Sequence, residues 1–302
     1  AVAYPLNVVG GQNGDDTVTR FDPRDFMEGD HPPLVRPVFL PIIASNVLAA
    51  TMLRRSNGKV DGFVIEGPTA GGHNAPPRGK LQLNEKGEPI YGDRDVVDLA
   101  KIRDLGLPFW VAGGYASAEK LREVLDVGGN GIQVGTAFAL CEESGMGEEY
   151  RRGLLNEALA GTARVVTDRL ASPTGFPFKV AQLEASLSEQ EVYDSRTRIC
   201  DLGYLREVYR KDDGNLGYRC SSEPVESYVA KGGMESDTIG RKCICNCLVS
   251  NAGLPQVREG GSVEKPMLTC GDDFAGIARF VPDGQTTYTA RDVITKLLEL
   301  EI

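Results

Sequence analysis

Three glycine-rich segments decide the fold of this chain: Glu66–Asn74 (EGPTAGGHN), Ala112–Gly114 (AGG) and Gln133–Phe138 (QVGTAF). Each segment ends a short apolar run and opens a turn. A (β/α) barrel that holds a phosphate-bearing cofactor at its C-terminal face arranges its strand ends in this way. The first turn carries a histidine and the other two carry bare backbone, so we expect the first turn to have a different role.

Strand–helix alternation begins at residue 36 and predicts four consecutive βα units. The predicted strands cover 37–43, 61–66, 108–112 and 131–134, and the predicted helices cover 46–55, 96–105 and 118–127, with a further helical segment from residue 136. Short apolar strands separated by helices are typical of a buried parallel sheet. The sequence therefore predicts the α/β class and about the last four βα units of a TIM (β/α)8 barrel. A flat doubly wound sheet is the alternative, and the paired phosphate-type turns after the last two strands favour the barrel.

Three regions are predicted along the chain. Residues 1–35 form an N-terminal hairpin and loop, with strands over 4–9 and 17–21. Residues 36–180 form the half-barrel. Residues 181–302 form an irregular, cysteine-rich extension that finishes with an amphipathic helix over 290–298.

The composition limits the kinds of partner. The net charge is −10, from 33 basic and 43 acidic residues, which argues against nucleic acid and against an anionic membrane surface. No apolar run approaches the roughly 20 residues needed to span a bilayer. No secretory signal is expected, which predicts a cytoplasmic location. The predicted binding partner is a small-molecule substrate.

His73 is the predicted catalytic residue. It follows an apolar strand and lies in a loop, where an imidazole can act as a general base near neutral pH. Gly71 and Gly72 allow the backbone to approach a planar ligand closely. The alternative is a loop histidine that only forms hydrogen bonds with the backbone.

The second and third turns are predicted to bind phosphate. Gly113-Gly114 and Gly135-Thr136 each connect a strand to a helix, where backbone N–H groups bind anions and glycine keeps the approach open. Two such turns on consecutive strands suit one shared phosphate, as in FMN. Gln133 either fills a barrel layer or touches the cofactor. No dinucleotide fingerprint and no P-loop is present in the sequence.

Five of the seven cysteines lie within residues 185–260. Their odd total and the lack of a secretory signal favour reduced thiols or a metal site over a disulfide framework. The spacing matches neither a zinc knuckle nor a ferredoxin run. Inert buried thiols and a redox-active thiolate are the alternatives. The predicted ligands of a tetrahedral zinc site or an iron–sulfur cluster are Cys200, Cys220, Cys243 and Cys245.

The segments Glu66–Asn74, Phe109–Tyr115 and Gly131–Phe138 together resemble the nitronate monooxygenase (2-nitropropane dioxygenase-like) family. The resemblance covers about residues 36–175. That family comprises FMN-dependent TIM barrels and includes relatives that act as enoyl reductases and NAD(P)H:quinone reductases. The resemblance implies that His73 is the catalytic base of the A-G-G-H motif. The residues expected to contact FMN are Gly71, Gly72, Ala112, Gly113, Gly114, Gln133, Gly135 and Thr136.

The resemblance implies an FMN-dependent oxidoreductase of the nitronate monooxygenase type, with His73 as general acid/base and flavin N5 as the redox centre. An NAD(P)H-dependent enoyl or quinone reductase on the same barrel is the alternative. A noncatalytic, metal-stabilised subunit or binding module is an alternative of another class. The matched strands are the last four of the family's barrel. We therefore expect an N-terminal barrel half, from the same longer protein or from a second chain.

Overall fold

The structure is a computed structural model that describes residues 2–10, 17–29 and 35–300. The strands of the described ranges are β1 (Val2–Pro5), β2 (Val8–Val9), β3 (Val18–Phe21), β4 (Ile42–Ile43), β5 (Phe63–Glu66), β6 (Phe109–Ala112), β7 (Gly131–Gln133), β8 (Val165–Asp168), β9 (Phe178–Ala181), β10 (Glu207–Arg210) and β11 (Leu216–Arg219).

The helices are mostly short. They are α1 (Asn46–Arg55), α2 (Leu99–Arg103), α3 (Ala118–Asp126), α4 (Thr136–Ala139), α5 (Glu148–Ala160), α6 (Gln190–Asp194), α7 (Val225–Ala230), α8 (Ile244–Asn251) and α9 (Ala290–Leu298). Short 3-10 segments cover Pro23–Asp25, Asp93–Asp95, Glu235–Thr238 and Asp272–Phe280. Within the described ranges, none of these helices has the length and apolar character needed to cross a membrane.

A four-stranded parallel sheet carries the predicted βα units. Its order is β4-β5-β6-β7, so each strand lies beside the strand that precedes it in the chain. A doubly wound sheet reverses its strand order at a switch point, whereas this sheet adds every strand on the same side, as a barrel does. The prediction of a partial (β/α) barrel is confirmed.

The helix-covered face of this sheet forms one apolar core. Phe63 and Phe109 are directly opposite in the β5–β6 register and are almost fully buried. Ala49, Ile102 and Val124 pack against them, one from each of the helices α1, α2 and α3. Because side chains alternate along a strand, Glu66 points to the opposite face from Ile65.

Serine caps fix the starts of two predicted helices. The Ser45 hydroxyl accepts a hydrogen bond from Leu48 N at 3.1 Å, and the Ser117 hydroxyl accepts one from Lys120 N at 3.2 Å. Each cap satisfies an N–H group that has no partner inside the helix. The observed bounds of α1 and α9 equal the predicted ones, and α3 is one residue shorter.

Other elements differ from the sequence prediction. The first barrel strand is limited to Ile42–Ile43, and the helix predicted over 96–105 is limited to Leu99–Arg103. Strands β8 and β9 form an antiparallel pair that the sequence analysis did not predict. Pro41 precedes the shortened strand, and a proline has no N–H group to donate to a strand neighbour.

The N-terminal hairpin is confirmed in part. Strands β1 and β3 pair antiparallel, but Val8–Val9 pairs in parallel with Val208–Tyr209 of β10. The segment between the two predicted hairpin strands, residues 10–16, lies mostly outside the described residues. The first and third predicted regions therefore share a sheet, and the region boundaries at residues 35 and 180 stay predictions.

Candidate functional site

One cavity of about 350 Å³ lies at the carboxyl ends of the parallel strands. The strand register places Glu66 opposite Ala112 and Ala112 opposite Gln133, so the last residues of β5, β6 and β7 form one row. The turns that follow these strands surround the cavity. All eight residues predicted to contact a cofactor line it: Gly71, Gly72, Ala112, Gly113, Gly114, Gln133, Gly135 and Thr136.

Two of these glycines are required by close packing. Gly113 has φ +90, and a Cβ there would lie 3.0 Å from Ala70 N. A Cβ on Gly71 would lie 2.9 Å from the backbone carbon of Cys270. Within the described residues, the N–H groups of Gly113 and Gly114 donate to no backbone acceptor. The turn therefore offers two free donors to the cavity.

The C-terminal part of the chain closes the cavity. Gly271 N donates to Thr136 Oγ1 at 2.9 Å, and Gly72 N donates to Thr269 Oγ1 at 2.9 Å. The Thr136 hydroxyl thus accepts from the protein and keeps its own hydrogen for another acceptor. Asn251 lines the cavity with a buried Oδ1 that has no partner among the described residues. No local sequence motif marks Asn251, Thr269 and Gly271, so the sequence did not predict them at this site.

Glu66 lines the cavity as a half-buried carboxyl group. Burial disfavours its charged form and raises its pKa from 4.5 to about 7. A carboxyl group with this pKa exchanges a proton near neutral pH, which suits an acid/base residue. Sequence reasoning gave Glu66 no catalytic role, because the desolvation that raises its pKa depends on the tertiary fold.

His73 lies beside the cavity and not on its wall. Its ring packs edge-on against Phe178 with centroids 4.9 Å apart, and its Nε2 lies 2.7 Å from Ser172 Oγ. Partial burial lowers the pKa of the imidazole below 6.5. Burial therefore favours the neutral imidazole, which is the form that can accept a proton.

A second cleft, of about 300 Å³, adjoins His73 and is almost entirely apolar. Its other walls come from the chain between residues 204 and 254, chiefly from one face of α8. This helix also contributes Asn251 to the glycine-lined cavity. The cleft is lined by His73, Tyr204, Leu205, Ile244, Cys245, Leu248, Val249, Ala252 and Leu254.

The cysteines are all free thiols in the structure. Among the described residues, no group of three or more His, Cys, Asp or Glu side chains is placed to hold a metal ion. The expectation of a zinc ion or an iron–sulfur cluster held by Cys200, Cys220, Cys243 and Cys245 is therefore not supported among the described residues. The thiols of Cys200, Cys220, Cys243 and Cys245 do come together, around one narrow cavity.

These features define a class of protein: an α/β half-barrel whose glycine turns surround one ligand cavity at the strand ends. Residues 35–171 match the family model for nitronate monooxygenase. Over this segment the chain is similar to the nitronate monooxygenase family, which is the family that its motifs resemble.

Individual relatives extend beyond this chain. A nitronate monooxygenase from Pseudomonas aeruginosa is 37% identical over 121 residues, which is 39% of this chain and 32% of that protein. One from Paraburkholderia phytofirmans is 29% identical over 180 residues, 58% of this chain and 45% of that protein. The chain thus spans a third to under half of these relatives. Among solved structures, FabK from Thermotoga maritima is 17% identical with a TM-score of 0.47, covering 87% of this chain and 60% of its own.

Ionisation of Glu66 is expected to destabilise the fold. Because the folded-state pKa lies above the ordinary value, the folded state holds a proton that the unfolded state releases between pH 4.5 and about 7. The contribution of Glu66 to stability therefore falls as the pH rises through this window. Glu66→Gln should remove that fall and be more stable than the parent chain at pH 8, as measured by urea unfolding at pH 4.5 and 8. The exposed control Glu259→Gln should leave the profile unchanged, and identical profiles for Glu66→Gln and its parent would contradict the assignment.

Proposed function

We propose that this chain forms part of an FMN-dependent oxidoreductase of the nitronate monooxygenase type. The convergence of three glycine-rich turns on one cavity at the strand ends supports this most directly. The volume of about 350 Å³ lies within the ordinary range of cofactor sites. The family match supports the same cofactor.

The donors and acceptors of the cavity suit a flavin mononucleotide. The free N–H groups of Gly113 and Gly114, together with the Thr136 hydroxyl, are donors for a phosphate group. Gly72 and Gly135 border open space, since a Cβ on either would meet no protein atom within 4 Å. The buried Asn251 Oδ1 is an acceptor still without a donor among the described residues. When bound, the flavin would supply the redox chemistry at its N5 atom.

His73 is proposed as the general base, with Ser172 as its positioning residue. Ser172 Oγ accepts from Thr174 N at 3.2 Å and lies 2.8 Å from Thr174 Oγ1. If the Ser172 hydroxyl donates to Thr174 Oγ1, its oxygen accepts from His73 Nε2–H. His73 Nδ1 then keeps its lone pair and can take a proton from a carbon next to an electron-withdrawing group.

The apolar cleft supports a substrate with an alkyl or acyl chain. Its walls offer side chains such as Leu248, Val249 and Leu254 and bury no unpaired charge. An apolar chain leaving water for this cleft gains roughly 25 cal/mol per Å² of buried surface. The chain would lie against α8, with the reactive carbon beside His73.

An N-terminal barrel half is the proposed partner, either from the same longer protein or from a second chain. Apolar side chains are exposed before the edge strand, on that strand and on the first helix, with Val38 72%, Ile42 54% and Val47 74% exposed. Parallel sheets are normally covered on both faces, and exposed edges invite further pairing. This chain spans less than half of the length of either relative, which supports the same proposal.

The proposed function is tested by assaying turnover of an alkyl nitronate with oxygen and, separately, turnover of NAD(P)H with an enoyl or quinone acceptor. A nitronate monooxygenase consumes an alkyl nitronate with oxygen and needs no nicotinamide. An enoyl or quinone reductase, which is the alternative activity, consumes NAD(P)H with an enoyl or quinone acceptor and leaves the nitronate unchanged. Turnover of neither substrate by a flavin-free preparation would favour the noncatalytic subunit.

Blocking the cavity should remove the cofactor without unfolding the chain. Gly135 has φ −104, which any residue adopts, and a side chain there enters the open cavity. Gly135→Leu should weaken FMN binding by at least about tenfold, or ~1.4 kcal/mol, as measured by flavin fluorescence titration. Gly92→Leu is the matched control, because Gly92 has φ −134 and open space around it away from the cavity. Equal FMN affinity of the two variants would place the cofactor elsewhere.

Removing the His73 imidazole should slow turnover without weakening the binding of FMN. His73→Ala should lower turnover by about 10²–10⁴-fold, while FMN remains bound at the parent affinity. In the parent chain, activity should fall at acid pH as His73 gains a proton, with the midpoint below 6.5 because burial lowers the pKa. The variant's residual activity should lack this acid limb. A full acid limb in the variant would assign the base to another residue, with Glu66 the first to test.

A further inference from the structure

A third cavity, of about 210 Å³, lies in the C-terminal part of the chain. We name it the basic cavity, because Arg196, Arg258 and Lys265 line it. Its lining shares no residue with the glycine-lined cavity or with the apolar cleft beside His73. The volume lies below the roughly 300–1,000 Å³ of pockets that enclose drug-sized ligands, so it suits a small ligand or a single head group.

A tight turn brings part of the basic lining together. Arg258 N donates to Ser262 O at 2.7 Å across this turn. Gly260 and Gly261 form the turn with φ +85 and φ +83, which glycine adopts without steric cost. The chain therefore returns on itself, and Arg258, Ser262 and Lys265 line the same cavity.

The two arginines share one buried carboxylate. The Glu264 side chain is only 3% exposed, and its oxygens accept hydrogen bonds from Arg196 Nε and Arg258 Nη2. Asp201 accepts a hydrogen bond from Arg258 Nη1. Arg196 Nη1, Arg196 Nη2 and Arg258 Nε nevertheless stay buried with no hydrogen-bond partner among the described residues. Buried guanidinium nitrogens without acceptors are costly, so this part of the chain favours an additional anion nearby.

Lys265 supplies a positive charge that the described carboxylates do not balance. Its side chain is exposed and forms no ion pair with a described residue. The hydroxyl groups of Thr197 and Ser262, which also line the basic cavity, have no hydrogen-bond partner in the described ranges either. Glu264 is the one carboxylate among the described lining residues, and both of its oxygens are occupied. The cavity therefore offers a cation and several donors to an incoming anion.

A phosphate group suits these donors better than a carboxylate does. A phosphate monoester presents three strong acceptor oxygens, whereas a carboxylate presents two. Lysine and arginine both bind phosphate through charge-assisted hydrogen bonds. Leu187, Val192 and Val263 form an apolar part of the same wall, which can contact an organic group carried by the phosphate.

We propose that the basic cavity is a second binding site, which takes a phosphate group from inorganic phosphate or from a small phosphomonoester. Lys265, Thr197 and Ser262 bind the phosphate oxygens, and the two arginines supply positive potential around them. The site is separate from the glycine-lined cavity, and it stands whether or not that cavity binds FMN.

Calorimetric titration with inorganic phosphate, in phosphate-free buffer, tests this site. Saturating FMN fills the glycine-lined cavity beforehand, and the same titration of Gly135→Leu covers the case in which FMN does not bind. Lys265→Glu should weaken phosphate binding by at least about tenfold, because it replaces an attractive charge with a repulsive one. Lys211→Glu is the matched control, because Lys211 is also exposed without an ion pair to a described residue, and it lies outside the basic cavity. Equal losses in the two variants, or no phosphate binding by the parent chain, would overturn the proposal.

Comparison of ligands identifies the source of the phosphate group. Tighter binding of phenyl phosphate than of inorganic phosphate would support a phosphomonoester, whose organic part leaves water for the apolar wall. Equal binding of the two would support free phosphate. Tighter binding of acetate than of either phosphate would contradict the phosphate assignment.

A protection experiment on the parent chain needs no variant. Acetic anhydride labels exposed lysines, and peptide mass spectrometry reads the extent of labelling at each position. Inorganic phosphate should slow the labelling of Lys265 and leave that of Lys211 unchanged. Equal labelling of Lys265 with and without phosphate would overturn the proposal.

Discussion

The in-register pairing of parallel strands is the constraint on which the rest of the site depends. Phe63 opposite Phe109 fixes the pairing from the core side, and the same register brings Glu66, Ala112 and Gln133 into one row at the other end of the strands. A shift by one residue would turn the phenylalanines away from α1, α2 and α3. The same shift would separate the three glycine-rich turns that share the cavity.

The segment outside the family match completes the cavity that the barrel strands begin. Gly71 approaches the backbone of Cys270 so closely that no Cβ fits, and Gly271 donates to Thr136 across the same contact. The extension is thus packed into the strand-end loops. It also provides α8, which contributes to the glycine-lined cavity, the apolar cleft and the thiol cavity. One helix therefore borders both the proposed cofactor site and the proposed substrate cleft.

Burial gives the acid/base groups of the site their properties. Glu66 ends β5 and His73 lies in the loop after this strand. Desolvation acts on both, raising the pKa of the carboxyl group and lowering that of the imidazole. In each case it favours the neutral form. Neither shift can be inferred from the residue types alone.

The sequence by itself determined the elements with strong local signals. Apolar runs, serine caps and glycine turns set α1, α3, α9 and the order of the barrel strands. The eight residues predicted to contact a cofactor all lie on the wall of one cavity. The role of those residues stays a prediction. Weak local signals failed: the strand over 37–43 and the helix over 96–105 are shorter than predicted, and Val8–Val9 pairs with a strand two hundred residues away.

Only the tertiary structure decided which distant residues meet. Asn251, Thr269 and Gly271 reach the cavity through packing across more than a hundred residues, a distance at which sequence periodicity carries no information. The same holds for the four cysteines, whose spacing matches no metal motif although the fold gathers them around one cavity. Local sequence sets the backbone conformation of each segment. Long-range contacts depend instead on how the apolar faces of those segments pack, and this packing brought the residues of the proposed sites together.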